Sequence, residues 1–186
     1  MKRVRMKLLC VALAVALIAL CSYGTLAFYS VIGTATNVIT TGDVELAIHE
    51  KGADGQDFPA EGVSVIPGDV VDKIVTVENV CDQPFYLRVK LVNESTDLNL
   101  NADDCLKVDL NTTYWTVGQD GFVYYNTVLE PGQTTEPVFT QVEVMGAYVG
   151  KENIGKTLSL TVNAYAVQSK NNPADHPWDA SGWPAE

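Results

Sequence analysis

The sequence predicts an all-β fold, an antiparallel β-sandwich or jelly roll with loop insertions, preceded by a helical signal peptide. Three observations predict it. Apolar and polar residues alternate through much of the chain after Ala27, as in Phe85, Leu87, Val89 and Leu91 against Tyr86, Arg88 and Lys90. Period two puts one face inward and the other in water. No long stripe of 3.6-residue period follows Ala27. Turn signals, Pro67-Gly68-Asp69 and Pro131-Gly132-Gln133 among them, precede the apolar runs. In such turns proline sets one dihedral and glycine takes the left-handed one.

Taken in order, the chain begins with Lys2, Arg3, Arg5 and Lys7 ahead of an apolar run from Leu8 to Cys21. Small residues follow, Thr25 and Ala27 included, and the cut is expected between Ala27 and Phe28. A basic start, a short apolar middle and a small-residue end make a secretory signal peptide over 1–27. Cys21 follows bulky Leu20, which argues against a lipid-attachment site. The domain is expected over 28–168, opening with an uncharged β-prone segment, 28–40. Further strands are expected near 43–49, 63–66, 72–79, 84–93, 105–110, 113–117, 122–129, 137–145 and 157–168, with a short helix near 103–107 as an alternative. Valine, threonine, tyrosine and isoleucine dominate these runs, as strands prefer. From 169 to 186 proline, aspartate and alanine prevail, and a loosely ordered tail is expected. Trp178 and Trp183 within it either fold back onto the domain or meet another subunit.

Charge narrows the partners. Residues 1–27 hold four of the 12 basic residues and none of the 23 acidic ones, so the remainder carries 8 against 23, or −15. Such a chain repels nucleic acid and anionic lipid and stays soluble. Contact with a membrane is expected only before signal cleavage. Cys81 and Cys105 remain after the cut, and an exported chain makes them a candidate disulfide closing a loop of about 25 residues, which contributes about 3 kcal/mol; the rival reading is two buried free thiols, or one paired with another molecule.

Catalytic patterns are not found. A zinc hydrolase needs His-Glu-x-x-His on a helix. His49-Glu50 is followed by Ala53 at the second histidine position, and the other histidine is His176 in the tail. No Gly-x-Ser-x-Gly follows Ala27. Asp97, Asn99, Asn101 and Asp103 alternate as in a calcium loop, but Ala102 replaces the turn glycine and Val108 the bidentate glutamate, leaving a weak resemblance. No catalytic residue, resident metal or cofactor is expected.

Gly24-Thr25-Leu26-Ala27-Phe28-Tyr29, then Ala35-Thr36-Asn37-Val38-Ile39-Thr40-Thr41-Gly42-Asp43-Val44-Glu45-Leu46, resembles the start of the TasA/camelysin family. Pro67-Gly68-Asp69 leading to Lys73-Ile74-Val75-Thr76-Val77-Glu78-Asn79, and Leu158 to Val167, extend the likeness along most of the chain; the cysteines and the tryptophan-bearing tail depart from it. The resemblance implies a secreted jelly-roll protein of the biofilm matrix or cell surface of a Gram-positive-type bacterium, cut by a SipW-type signal peptidase. It implies fibres of identical subunits, together with other matrix components, built by donating an N-terminal strand. On this reading Phe28, Tyr29, Val31, Ile32, Val38 and Ile39 form the candidate donor strand. An unpaired sheet edge accepts such a segment through its free N–H and C=O groups. The alternatives are a camelysin-type surface metalloprotease and a monomeric adhesion or accessory sandwich.

Overall fold

The computed structural model describes residues 44–93, 105–146 and 158–185, with the backbone alone at 29–41 and 157. The expected signal peptide with its Ala27–Phe28 cut, and the Asp97, Asn99, Asn101 and Asp103 loop, lie outside the described residues. The described chain is all-β. Its strands are β1 (Tyr29–Thr41), β2 (Leu46–Lys51), β3 (Val63–Val65), β4 (Val70–Asp72), β5 (Ile74–Asn79), β6 (Phe85–Asn93), β7 (Leu106–Val108), β8 (Trp115–Val117), β9 (Val123–Tyr125), β10 (Gln141–Val144) and β11 (Thr157–Gln168). They form a six-stranded sheet in the order β3-β1-β11-β6-β9-β8, a three-stranded sheet β4-β10-β7 and the pair β2-β5. Every pairing is antiparallel except that of β1 with β11, which is parallel.

The three sheets share one core. Leu46, Val75, Val77, Phe85, Leu87, Val89, Trp115, Val142, Val144, Leu158, Leu160, Val162 and Ala164 all lie in it. Alternation selects these side chains: in β6 the residues at odd positions from Phe85 to Val89 are fully buried. The segment before β10 joins β5 without forming a regular strand. Val138 N–H donates to Val75 O at 2.8 Å, and Thr135 N–H donates to Val77 O at 2.8 Å. Val138 and Phe139, adjacent in sequence, are both fully buried, so period two fails there. The expected strand at 72–79 is split into β4 and β5 by Lys73, whose side chain turns inward and is fully buried. Of the expected helix near 103–107, residues 103 and 104 lie outside the described residues, Cys105 is helical, and Leu106 and Lys107 lie in β7. Gly68 and Gly132 adopt φ of 94° and 72°, the left-handed turns that Pro67-Gly68 and Pro131-Gly132 predict.

Of the two readings of the tail tryptophans, Trp183 takes the first and folds back onto the domain. Residues 169–185 pack across the outer face of the six-stranded sheet. Asn171 takes a left-handed φ of 62°, which asparagine tolerates. Asn172 then ties the two limbs of the tail together: its Nδ2 donates to Ser181 O at 2.9 Å, and Ser181 N–H donates to its Oδ1 at 3.1 Å. Trp183 meets Tyr124 edge to face, with centroids 5.7 Å apart. This third layer explains why Tyr86 and Arg88, on the nominally wet face of β6, are 7% and 8% exposed. Arg88 stacks on Phe122 at 3.6 Å and Trp183 at 4.7 Å, and its Nη2 donates to Pro184 O at 3.0 Å. Too few apolar residues mark the tail for composition to reveal its docking, but two tryptophans needing apolar cover are the signal.

Trp183→Ala is expected to lower stability by about 2–3 kcal/mol in urea unfolding, since it opens a cavity beside a buried guanidinium and removes one of its stacking faces.

Candidate functional site

The expected donor segment is β1. Its N-terminal part pairs on both edges: Tyr29, Ser30 and Val31 stand opposite Val65, Ser64 and Val63 of β3, while residues 30–34 stand opposite 157–161 of β11. Past an irregularity, Asn37–Thr41 stand opposite Asn163–Val167. The irregularity holds one extra residue in β1. Without it Asn37 would face Ala164; with it Val38 does. A one-residue slip exchanges the faces of a strand, and a bulge is how a chain resets them. Val31 thus stands opposite Leu158 and Val38 opposite Ala164, both core residues, whereas Ile39 stands opposite Tyr165, which packs with Phe122 and Trp183. Ile32 stands opposite Ser159. Phe28 lies outside the described residues.

The slot matters because of β11. Antiparallel β6 covers one edge of β11 from Leu160 to Gln168, and β1 covers the other from Thr157 to Val167. Leu158, Val162, Ala164 and Ala166 are fully buried. Main-chain groups this deep require partners. At about 0.5–1.5 kcal/mol net per hydrogen bond, a ladder of this length contributes several kcal/mol. Any extended segment of matching sequence would satisfy the same edge. Residues 42–45 alone connect β1 to β2, which lies in a different sheet.

The structure does not form the bridge expected between Cys81 and Cys105. Cys81 is tied to the start of β6: its Sγ donates to Asn79 Oδ1 at 3.0 Å and to Gln83 O at 3.2 Å. Cys105 is fully buried and accepts from Nδ2 of Asn93, the last residue of β6, at 3.3 Å. The length of a nine-residue strand, roughly 25 Å, separates the two ends. A disulfide spans less than about 7 Å between Cα atoms.

The two histidines sit on different elements with different partners. His49 in β2 approaches Glu78 of β5 at 2.8 Å, and His176 in the tail stacks on Trp178 at 4.5 Å. Among the described residues no group of three metal-ligating side chains is present.

A buried ion pair escaped sequence reasoning. Lys73 Nζ lies 2.9 Å from Glu50 Oε1, with side chains 0% and 9% exposed. Nζ also donates to Leu160 O of β11 at 3.4 Å and sits 5.3 Å from the centre of the Phe58 ring. One lysine therefore links the β2–β5 pair to the six-stranded sheet. Burial pushes its pKa below 10.5, and the attraction of Glu50 only partly offsets this. A lysine breaking an alternating strand was the available signal.

No family model, curated protein or solved structure matches this chain.

Lys73→Met and Glu50→Gln are each expected to cost about 3–5 kcal/mol in urea unfolding, because each leaves a buried polar partner unmatched, whereas Lys73→Met with Glu50→Leu costs less than the sum. The folded state binds fewer protons at Lys73 than the unfolded state in the interval below 10.5. The stability of the parent relative to Lys73→Met should therefore rise as pH climbs toward 10.5, measured by the same titrations.

Proposed function

We propose that this chain is an exported bacterial structural protein, a β-sandwich of the jelly-roll kind, whose subunits polymerise by exchanging β1. The observation that carries the reading is the slot on β11. A segment early in the chain closes the edge of a long, deeply buried strand, and residues 42–45 are its covalent link to the strands that follow. Released by cleavage near Ala27–Phe28, the β1 of one subunit would occupy the slot of the next, with the same ladder and no new interface chemistry. Exchange of an identical element between protomers is a low-cost route to assembly, and a head-to-tail exchange that does not close gives a filament.

The resemblance to the TasA/camelysin family supports the same reading, and with it a SipW-type peptidase, a matrix or cell-surface location and other matrix components as partners. Before cleavage the leader would hold β1 at the membrane and block exchange.

Electron microscopy of the processed protein should show filaments, and the uncut precursor should show none. Deletion of residues 28–41 should abolish filaments, and a synthetic peptide of that sequence should bind the deletion variant and restore its thermal transition. Filaments that persist after the deletion would remove β1 from the mechanism.

A further inference from the structure

A groove of about 350 Å³ opens on the far side of the molecule from the β1 slot in strand order, between the β8–β9 turn and the tail. We propose that it binds an organic ammonium group, carried by a small molecule or by a lysine side chain. Three features point to that chemistry.

The first is an aromatic corner. Tyr124 and Trp178 both line the groove, with rings 79° apart and centroids separated by 6.4 Å; Tyr124 is 3% exposed, so the accessible aromatic surface is that of Trp178. Trp178 is 40% exposed although it is the largest side-chain type, and His176 stacks on it at 4.5 Å and steadies it. Aromatic faces attract cations through the ring quadrupole.

The second is a fixed carboxylate. Asp120 is half-exposed in the groove, and its Oδ1 accepts from Phe122 N–H at 3.2 Å. Its Oδ2 accepts from Tyr124 Oη at 2.6 Å. Burial tends to raise its pKa, but the hydrogen bonds from Tyr124 and Phe122 outweigh that and hold it below 3.8, so the group is charged at neutral pH. Arg88 Nη1 lies 3.7 Å from Oδ2 and donates to Tyr124 Oη at 3.4 Å, so Asp120 already pairs with one cation on its inner side, while its half-exposed remainder lies in the groove. Thr116 and Gln119 add neutral polar groups to the lining.

The third is the backbone that shapes the corner. Gly118 N–H donates to Phe122 O at 2.7 Å, closing a tight turn. A Cβ at Gly118 would stand 2.4 Å from Asp120 Oδ1 and 2.7 Å from Tyr124 Cε2. A side chain at 118 would force the carboxylate or the ring to shift. The same aromatic cluster already accommodates two cations, Arg88 over Phe122, Tyr165 and Trp183, and Lys90 over Phe122. The excess of acidic residues over basic ones in the whole chain favours the approach of a further cation from solvent.

The test is titration of the full processed chain, followed by tryptophan fluorescence and calorimetry. The probes are choline, N-acetyl-lysine methylamide and the neutral choline isostere 3,3-dimethylbutan-1-ol. Saturable binding of either amine, about tenfold tighter than the alcohol and weaker at high salt, is expected. The tighter amine tells a free ligand from a protein side chain. Trp178→Leu and Asp120→Asn should each weaken binding about fivefold or more while each variant remains folded by circular dichroism at the titration temperature. Gly118→Ala should abolish binding. Equal affinity for the alcohol, absence of saturation with both amines, or unchanged binding in the folded Trp178→Leu and Asp120→Asn proteins would overturn the proposal.

Discussion

Strand β11 must be paired on both edges, and the rest of the molecule is arranged around that requirement. It runs through the middle of the largest sheet, its core-facing side chains are sealed from water, and its hydrogen-bonding groups have nowhere to go except to neighbouring strands. One neighbour, β6, is antiparallel and contiguous in register from Phe85 to Asn93. The other, β1, runs parallel, from the opposite end of the chain. A parallel pairing in an otherwise antiparallel arrangement cannot arise from a tight hairpin. It needs a segment that arrives from elsewhere, either across its own subunit or from another.

The faces of the large sheet are covered by two different means. Inward, β5, β10 and the irregular segment before β10 supply branched aliphatic side chains, and Lys73 reaches across to the Leu160 carbonyl. A lysine in this place gives up solvation for an ion pair with Glu50 and a bond to the β11 backbone, which is a poor bargain for stability alone. It does favour one placement of the β2–β5 pair against β11, since any shift strands the charge. Outward, the tail lays Trp183, Ala180 and Pro184 over Tyr86, Arg88 and Tyr124. That cover turns a face of mixed aromatic and cationic character into a third layer, and its rim leaves Trp178 beside the β8–β9 turn.

Much of this was legible in the chain and some was not, for physical reasons. The alternation in β6 and β11 reports burial directly, so both strands and their inward residues could be read. The turn glycines at 68 and 132 were legible because few other residues adopt their backbone. Strand direction is not encoded in period two, so the parallel pairing of β1 could not be read. Nor could its bulge, which brings Val38 rather than Asn37 opposite Ala164. Cysteine counting suggested a bridge, but a count carries no distance, and β6 holds the two sulfurs at opposite ends. The groove was invisible for a related reason: Gly118-Gln119-Asp120-Gly121 reads as a turn, and becomes a site only when Trp178 arrives from the tail.

The central claim is that β1 fills the slot of a neighbouring subunit. Thr34 and Thr161 are register partners in the parallel ladder, and adjacent strands lie about 4.8 Å apart, within reach of a disulfide. The decisive measurement mixes two processed chains, both with Cys81 and Cys105 replaced by alanine, one carrying Thr34→Cys and the other Thr161→Cys. They are oxidised under assembly conditions and run on a non-reducing gel. Strand exchange predicts covalent dimers joining the two chains, and a ladder of higher oligomers when both substitutions share one chain. If the mixture stays monomeric and the doubly substituted chain closes only within itself, each β1 remains in its own subunit and the account is wrong.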